Sequence, residues 1–466
     1  MTRPTPLSGF PEFLPSQRAA ELVVIDTLRE TFELHGFTSL ETRHVEPLDQ
    51  LLRKGETSNE VYVLRRLQED PDSRDGADPS SGPGLGLHFD LTVPLARYVL
   101  EHQGKLDFPF RRYQIQRCWR GERPQEGRYR EFTQADIDII GRDTLGFDAD
   151  IEVTEVMAEA LSRLPVPPLT LHVNHRKLIQ GFYLGLGLDD GAVVDVIRAV
   201  DKLDKAGVDG VRRLLLDQGV TEVQADQCLA LARIKGTDAG FADEVRALGV
   251  QHPQLDEGLD ALVTAVEATA HTRSDKFSVV ADLQIARGLD YYTGLVFEGR
   301  MEDLLGTMSI CAGGRYDALA SDGRSTYPGV GISLGITRLV APLIGRGLLD
   351  ADRSVPSAVL VALPDEDSRE SVRAIARALR ARGIPTETAP SAAKYGRQIR
   401  HADRRGIPYV WFPGSGGEPD SVRDIRSGDQ QPADVTTWAP PDDDLRPRIV
   451  NPSLNPSLNA SQGEHP

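Results

Sequence analysis

Apolar and polar positions change period several times along the chain, and the changes mark out its elements. Over residues 16–35, Leu22, Ile25, Leu28 and Phe32 recur at helical spacing, which predicts a surface helix. FTSLETRHVEPL, at 37–48, is strand-like and ends at Pro47. Residues 68–86, rich in Asp, Pro, Ser and Gly, predict a loop joining two strands. Residues 108–141 alternate as strands do and are interrupted by GERPQEGR, so a long antiparallel pair with an open loop is expected. A helix follows at about 148–164, and from 176 to 272 the pattern is helix after helix. Strands return at 277–299 and 307–311, and 329–345 reads as a strand running into a helix. From 355 the order becomes strand (SAVLVAL), helix (368–382), strand (PTETA), helix (392–405) and strand (IPYVWF), a small α/β domain with parallel pairing. Residues 446–466, with NPSL repeated and few apolar anchors, are expected to form a disordered tail.

Composition narrows the classes. At 466 residues, two or three domains are expected. No apolar run approaches the ~20 residues that span a bilayer. The start, MTRPTPLSGFPEFLP, lacks the charged and apolar regions of a signal peptide. Three scattered cysteines (Cys118, Cys228, Cys311) speak against a disulfide framework or structural zinc and fit a cytoplasmic protein. A net charge of −17 argues against non-specific nucleic-acid binding by the whole surface. Residues 369–405 run against that trend, with ten Lys/Arg and three acids. Arg369, Arg373, Arg377 and Arg380 share one side of a helix. Such a run can be a solvated face; its contrast in sign favours a phosphate-contacting one.

Three constellations carry chemistry. Residues 108–130 hold seven Arg against two Glu, and Arg forks match phosphate or carboxylate oxygens in pairs. The strand that follows puts Gln134, Asp136 and Asp138 on one face and Ala135, Ile137 and Ile139 on the other, as a strand lining a polar cavity would. GVGISLGITR, at 329–338, has GxGxxxG spacing rather than the dinucleotide fingerprint, and no P-loop motif occurs. Its glycines, on a strand leading into a helix, permit flat packing of a planar ring, with Arg338 at the helix start. RGLDYYTG, at 287–294, offers one cation and two aromatic hydroxyls between apolar strands; on its own it is equally compatible with a packed turn whose Arg is solvated.

Together these segments resemble the class II aminoacyl-tRNA synthetases. Arg120-Gly-Glu122-Arg123-Pro124 with its loop and returning strand is similar to motif 2, 329–338 to motif 3, and FTSLETRHVEPL to the dimer-forming motif 1. RGLDYYTG and AGGRYD (312–317) resemble the signatures of the histidyl-tRNA synthetase family, with Ala318 standing where many members have Gly. The resemblance implies an α+β fold: a class II catalytic core over 1–345, an antiparallel sheet flanked by helices with a helical insertion at about 176–272, and a C-terminal α/β anticodon-binding domain over 355–440.

It also implies an ATP-dependent ligase that joins histidine to tRNA(His), and a homodimer. Arg120 and Arg287 would act on the α-phosphate of ATP, Glu122 at the adenine end and Arg338 on the γ-phosphate, with Mg2+ arriving on the nucleotide and no metal held by the protein. Asp90 and Thr92 would hold the amino group of histidine, Gln134 its carboxylate region, and Asp138, Tyr292 and Tyr316 its imidazole. Arg123 and Gln125 would meet the acceptor end of tRNA, and Arg373, Arg377, Lys394 and Arg397 the anticodon side. A paralogue of this fold serves as a histidine-sensing regulatory subunit of ATP phosphoribosyltransferase; it typically lacks the C-terminal domain and the motif arginines, which this chain keeps.

Overall fold

The computed structural model describes residues 4–52, 60–65, 84–286, 291–301 and 308–450, the side chains of 318 and 319 excepted. The chain divides into two compact units, 1–11 with 25–339 and 12–24 with 340–466.

The first unit is built on a sheet of nine strands among the described residues. Their order is Thr38–Ser39, Phe110–Trp119, Glu131–Ile140, Thr326–Gly335, Ser309–Ser321, Leu295–Arg300, Leu169–His175, Phe277–Asp282 and Lys235–Gly236. The central pairs are antiparallel; Thr38–Ser39 with Phe110–Trp119 and Leu169–His175 with Phe277–Asp282 are parallel. The expected hairpin pairs in unbroken register from Phe110 opposite Ile140 to Trp119 opposite Glu131. Strand Ser309–Ser321 runs ten residues beyond the predicted 311, because AGGRYD lies within the sheet and not after it. Strands Phe277–Asp282 and Leu295–Arg300 are not neighbours: Leu169–His175 lies between them, so the connection from one to the other crosses a strand and is not a hairpin turn.

Helix Asp148–Arg163 packs Val153, Val156, Met157 and Leu161 into the core beneath this sheet. The helical region is stitched to the sheet in two ways. Helix Pro253–Ala268 packs on helix Arg176–Gly185 and on strand Leu169–His175, and Lys235–Gly236 extends the sheet edge along Phe277–Asp282. Between Val63–Leu64 and Leu85–Leu87, which pair antiparallel, the predicted loop lies outside the described residues apart from its end. Motif 1 is two short strands, Thr38–Ser39 and Val45–Pro47, and its Glu46 carboxylate is buried and held by Arg97 at 2.8 Å.

In the second unit, five strands are ordered Thr386–Thr388, Val359–Val361, Tyr409–Phe412, Ser421–Asp424 and Gln430–Pro432. The first three are parallel, as predicted, and the last two continue antiparallel. The apolar run at 358–363 is fully buried, as a central parallel strand requires. Residues 446–450, expected to belong to a disordered tail, have partners instead. Ile449–Val450 pair with Asp350–Ala351, and Arg448 reaches Asp444 at 3.1 Å, because this stretch still carries two apolar residues and a cation with partners. Residues 451–466 lie outside the described residues.

Ile137 sits in the sheet centre with no exposed surface. Ile137→Ala should therefore destabilise the first unit by about 2–5 kcal/mol, read as a shift in the urea unfolding midpoint followed by circular dichroism.

Candidate active site

Register on the sheet assembles the site. Phe132, Gln134, Asp136 and Asp138 alternate onto one face. On one flanking strand, Arg112 stands opposite Asp138 and Gln114 opposite Asp136; on the other, Gly331 stands opposite Asp138 and Ser333 opposite Asp136.

A cavity of about 310 Å³ opens on this face. Asp90 and Thr92 reach it from the start of helix Thr92–His102, where Asp90 Oδ1 accepts the Val93 N–H at 3.0 Å and so caps the first turn. Arg120 and Glu122 enter from the hairpin end, Gln134 from the floor, and Tyr292 from the crossing segment. Arg338 completes the wall from the first turn of helix Ile336–Gly345. Arg120 is fixed from two sides: its Nε donates to the Phe89 carbonyl at 3.0 Å, and its guanidinium lies 5.0 Å from the centre of the Phe132 ring. With Arg128 from the hairpin loop, three arginines thus face one cavity, an arrangement suited to a polyphosphate.

Next to the cavity lies a buried polar group. Asp138 Oδ1 accepts from the Tyr316 hydroxyl at 2.7 Å, and its Oδ2 is 2.5 Å from Arg112 Nη2. Burial drives the Asp138 carboxyl up to about 7 against the opposing pull of Arg112. Asp136 is also raised, chiefly by burial, and its Oδ1 accepts from Gln134 Nε2 at 2.9 Å. Burial likewise raises the hydroxyls of Tyr291, Tyr292 and Tyr316, keeping them as donors. Tyr291 stacks on Tyr316 at 5.5 Å, and Tyr292 crosses it at 5.2 Å.

Glycines of the 329–338 segment and of AGGRYD make this possible by close approach. A Cβ at 331 would lie 2.0 Å from Asp138 Oδ1, one at 329 would lie 2.4 Å from the Tyr316 ring, and one at 314 would lie 2.7 Å from that of Tyr292. The middle of GGRYD is an anchor. Arg315 pairs with buried Asp150 at 2.5 Å and donates to the Leu145 carbonyl, while its own carbonyl accepts the Thr293 N–H at 2.8 Å. That last bond ties the tyrosine pair to the sheet.

Of the residues singled out in the sequence, Asp90, Thr92, Arg120, Glu122, Gln134, Tyr292 and Arg338 line one cavity. Asp138 and Tyr316 stand beside it, almost wholly buried. Arg123 and Gln125 are exposed on the hairpin loop, which closes through paired backbone bonds between Gln125 and Arg128. Arg287 lies outside the described residues. Sequence reasoning passed over Arg112, Phe132 and Ser333. Each faces the same side as Gln134 once the hairpin register is drawn, so the alternation itself held the signal.

The single basic face expected over 369–405 needs correction. Strand Val359–Val361 lies between Thr386–Thr388 and Tyr409–Phe412, so the two right-handed crossovers leave in opposite directions. Helices Arg369–Ala381 and Tyr395–Arg405 therefore cover opposite faces of the sheet. Several arginines are also engaged internally: Arg369 with Glu366, Arg377 with Glu370, Arg405 with Glu387, and Arg380 with the Thr386 carbonyl. Arg373 on the first helix, and Lys394, Arg397, Arg400 and Arg404 at the second, are exposed.

An antiparallel sheet bearing this hairpin, with an Arg-led helix after its next strand, is the core of a class II aminoacyl-tRNA synthetase. Residues 9–339 match the histidyl-tRNA synthetase family and residues 357–433 an anticodon binding domain. Histidine–tRNA ligases of Cutibacterium acnes and Micrococcus luteus are 56% and 54% identical to this chain, each over 97% of it and 99% of the relative. The crystal structure of histidyl-tRNA synthetase from Nostoc sp. PCC 7120 superposes with a TM-score of 0.80 at 30% identity, covering 99% of this chain and all (100%) of that one. A Bacillus halodurans structure described as an ATP phosphoribosyltransferase regulatory subunit/histidyl-tRNA synthetase shares the fold at 20% identity and a TM-score of 0.66. The chain belongs to the histidyl-tRNA synthetase family.

Gly331→Ala forces a methyl group onto Asp138 and should destabilise the protein by about 1–3 kcal/mol. Gly345→Ala, where an added Cβ meets nothing within 4 Å, should change stability little. Paired thermal unfolding curves check the contrast.

Proposed function

We propose that this chain is a histidine–tRNA ligase that activates histidine with ATP and transfers it to the 3′ end of tRNA(His). The observation that carries this reading is the convergence of Arg120 and Arg338 on one cavity with Gln134 and Tyr292. The near full-length identity to histidine–tRNA ligases supports it independently.

In the first step the histidine carboxylate attacks the α-phosphorus in line and pyrophosphate leaves. The carboxylate is already a competent nucleophile, so the protein's task is positioning and charge stabilisation. Arg120 stabilises charge developing at the α-phosphate, and the family likeness gives Arg287 the same task. Arg338 holds the γ-phosphate of a bent ATP, and Glu122 orients the adenine end. Mg2+ brought with the nucleotide would supply further charge neutralisation on its phosphates.

Asp90 and Thr92 hold the ammonium group, and Gln134 the carboxylate region. Asp138, Tyr292 and Tyr316 recognise the imidazole through paired hydrogen bonds. A side chain without matching groups would leave buried partners unsatisfied, which is the stronger route to selectivity. In the second step the terminal hydroxyl of tRNA attacks the activated carbonyl. Arg123 and Gln125, exposed on the hairpin loop, meet the acceptor end. The exposed cations Arg373, Lys394 and Arg397 contact tRNA backbone; Arg377, paired with Glu370, contributes only if that ion pair opens. The enzyme acts in the cytoplasm as a homodimer joined through motif 1.

Histidine-dependent ATP–pyrophosphate exchange tests the reading directly. A folded sample that binds histidine but shows no exchange would instead be a histidine-sensing regulator. Arg287→Ala should lower the exchange rate about 100-fold or more, the scale seen on removing one charge-stabilising donor, while histidine affinity stays within about threefold by calorimetry. Arg373→Glu should weaken tRNA binding and reduce its log–log salt slope by about one, with exchange unchanged; an equal loss in both assays would sink the assignment of that helix.

A further inference from the structure

Beneath the imidazole pocket lies a charge cluster that the proposed roles leave unexplained. Arg112 has no exposed surface, although a charged side chain is rarely buried completely. It stands directly across the hairpin from Asp138, 2.5 Å away, and 3.8 Å from Asp136 Oδ2. Its Nη1 donates to Gln114 Oε1 at 3.2 Å. Gln114 then passes hydrogen bonds to Thr42 and Gln116, so the guanidinium is held by a buried polar chain along its own strand. One cation therefore faces two buried carboxylates.

We propose that Arg112 is a positioning and specificity-determining residue for histidine: it keeps Asp138 ionised and aimed at the imidazole although Asp136 lies beside it. This rests on the reading that histidine occupies this pocket. Arg112 touches no substrate and acts through Asp138. Two carboxylates sharing a buried site cannot both ionise readily without a cation, and an opposite charge within about 4–6 Å lowers a carboxyl by about 1–3 pH units. An ionised Asp138 accepts the imidazole N–H; a protonated one competes with it as a donor.

The other groups facing Asp138 give no second cation. Asp136 comes from its own strand, Tyr316 from Ser309–Ser321, Tyr291 and Tyr292 from the crossing segment, and Asp90 from the start of helix Thr92–His102. Strand Thr326–Gly335 presents Gly331 there, which carries no charge. The tyrosines are held protonated by burial, and Asp136 and Asp90 both push Asp138 toward its neutral form. Against them stand the charge of Arg112, the larger pull, and the hydrogen bond from the Tyr316 hydroxyl.

The test is the pH dependence of histidine affinity from pH 6 to 9, by calorimetry without ATP and by histidine KM in pyrophosphate exchange. In the unaltered protein, affinity should fall as pH drops through about 7, where Asp138 takes up a proton. Arg112→Met should move that midpoint up by about 1–3 units, raising histidine KM at pH 7 about tenfold or more with ATP KM nearly unchanged. Arg112→Lys should restore most of the loss. Asp136→Asn should move the midpoint down, and Arg112→Met combined with Asp136→Asn should return it toward the original.

A loss of affinity by one factor at every pH, with no midpoint shift in either direction, would overturn the proposal. So would a double variant worse than Arg112→Met. If Arg112→Met fails to fold, Asp136→Asn and the double variant carry the comparison. Calorimetry keeps this test separate from the ligase reading, because histidine can bind in a protein that shows no exchange.

Discussion

A carboxylate taken out of water is costly unless a cation and hydrogen bonds replace its hydration, and the active-site sheet meets that requirement by register. Arg112 and Asp138 are cross-strand partners in the hairpin, so the ion pair exists only if Phe110–Trp119 and Glu131–Ile140 pair without slip. A one-residue slip would send the entire polar face to the other side of the sheet. The same register places Gly331 over Asp138 and sets Ser333 opposite Asp136. Pairing and charge balance therefore enforce one another, and the tyrosines fit only because both hold.

The two halves of the cavity differ in how they handle charge. At the end proposed for the nucleotide, Arg120 is steadied by a carbonyl and a ring, neither of which neutralises it, so its charge stays available to an anion. At the end proposed for the amino acid, Arg112 pairs with Asp138, and hydrogen bonds from Tyr316 and Gln134 hold the two carboxylates. Arg315 belongs to neither end. Its ion pair with Asp150 anchors the strand that carries Tyr316 and, through the Thr293 N–H, the segment that carries Tyr292.

The hairpin, the early helix and the βαβ order of the second unit were legible because each rests on local periodicity. Residues 108–141 alternate, and 358–363 form one apolar run bounded by turn residues. Arg120, Gln134 and Arg338 were found from motifs, and their convergence on one cavity is what geometry added. What could not be read depends on strands far apart in sequence. Strand Ser309–Ser321 was cut short because glycines at 313 and 314 look like a turn until the Gly331–Ile332 backbone is seen to fill the space at 313 and Tyr292 that at 314. The basic run at 369–405 looked like one face because helical spacing says nothing of which side of a sheet a helix covers.

The order of the strands also has a meaning for synthesis. Glu131–Ile140 pairs with Thr326–Gly335, nearly two hundred residues later in the chain. On the ribosome the hairpin is made first, and it must wait with one edge bare while the helices between 176 and 268 emerge and pack. Non-local pairing of this kind is slow and leaves an exposed strand edge that can join to another chain. A translating ribosome therefore holds a half-sheet in which Arg112 already stands opposite Asp138, and that pairing gives the nascent hairpin a reason to keep its register until its neighbour arrives.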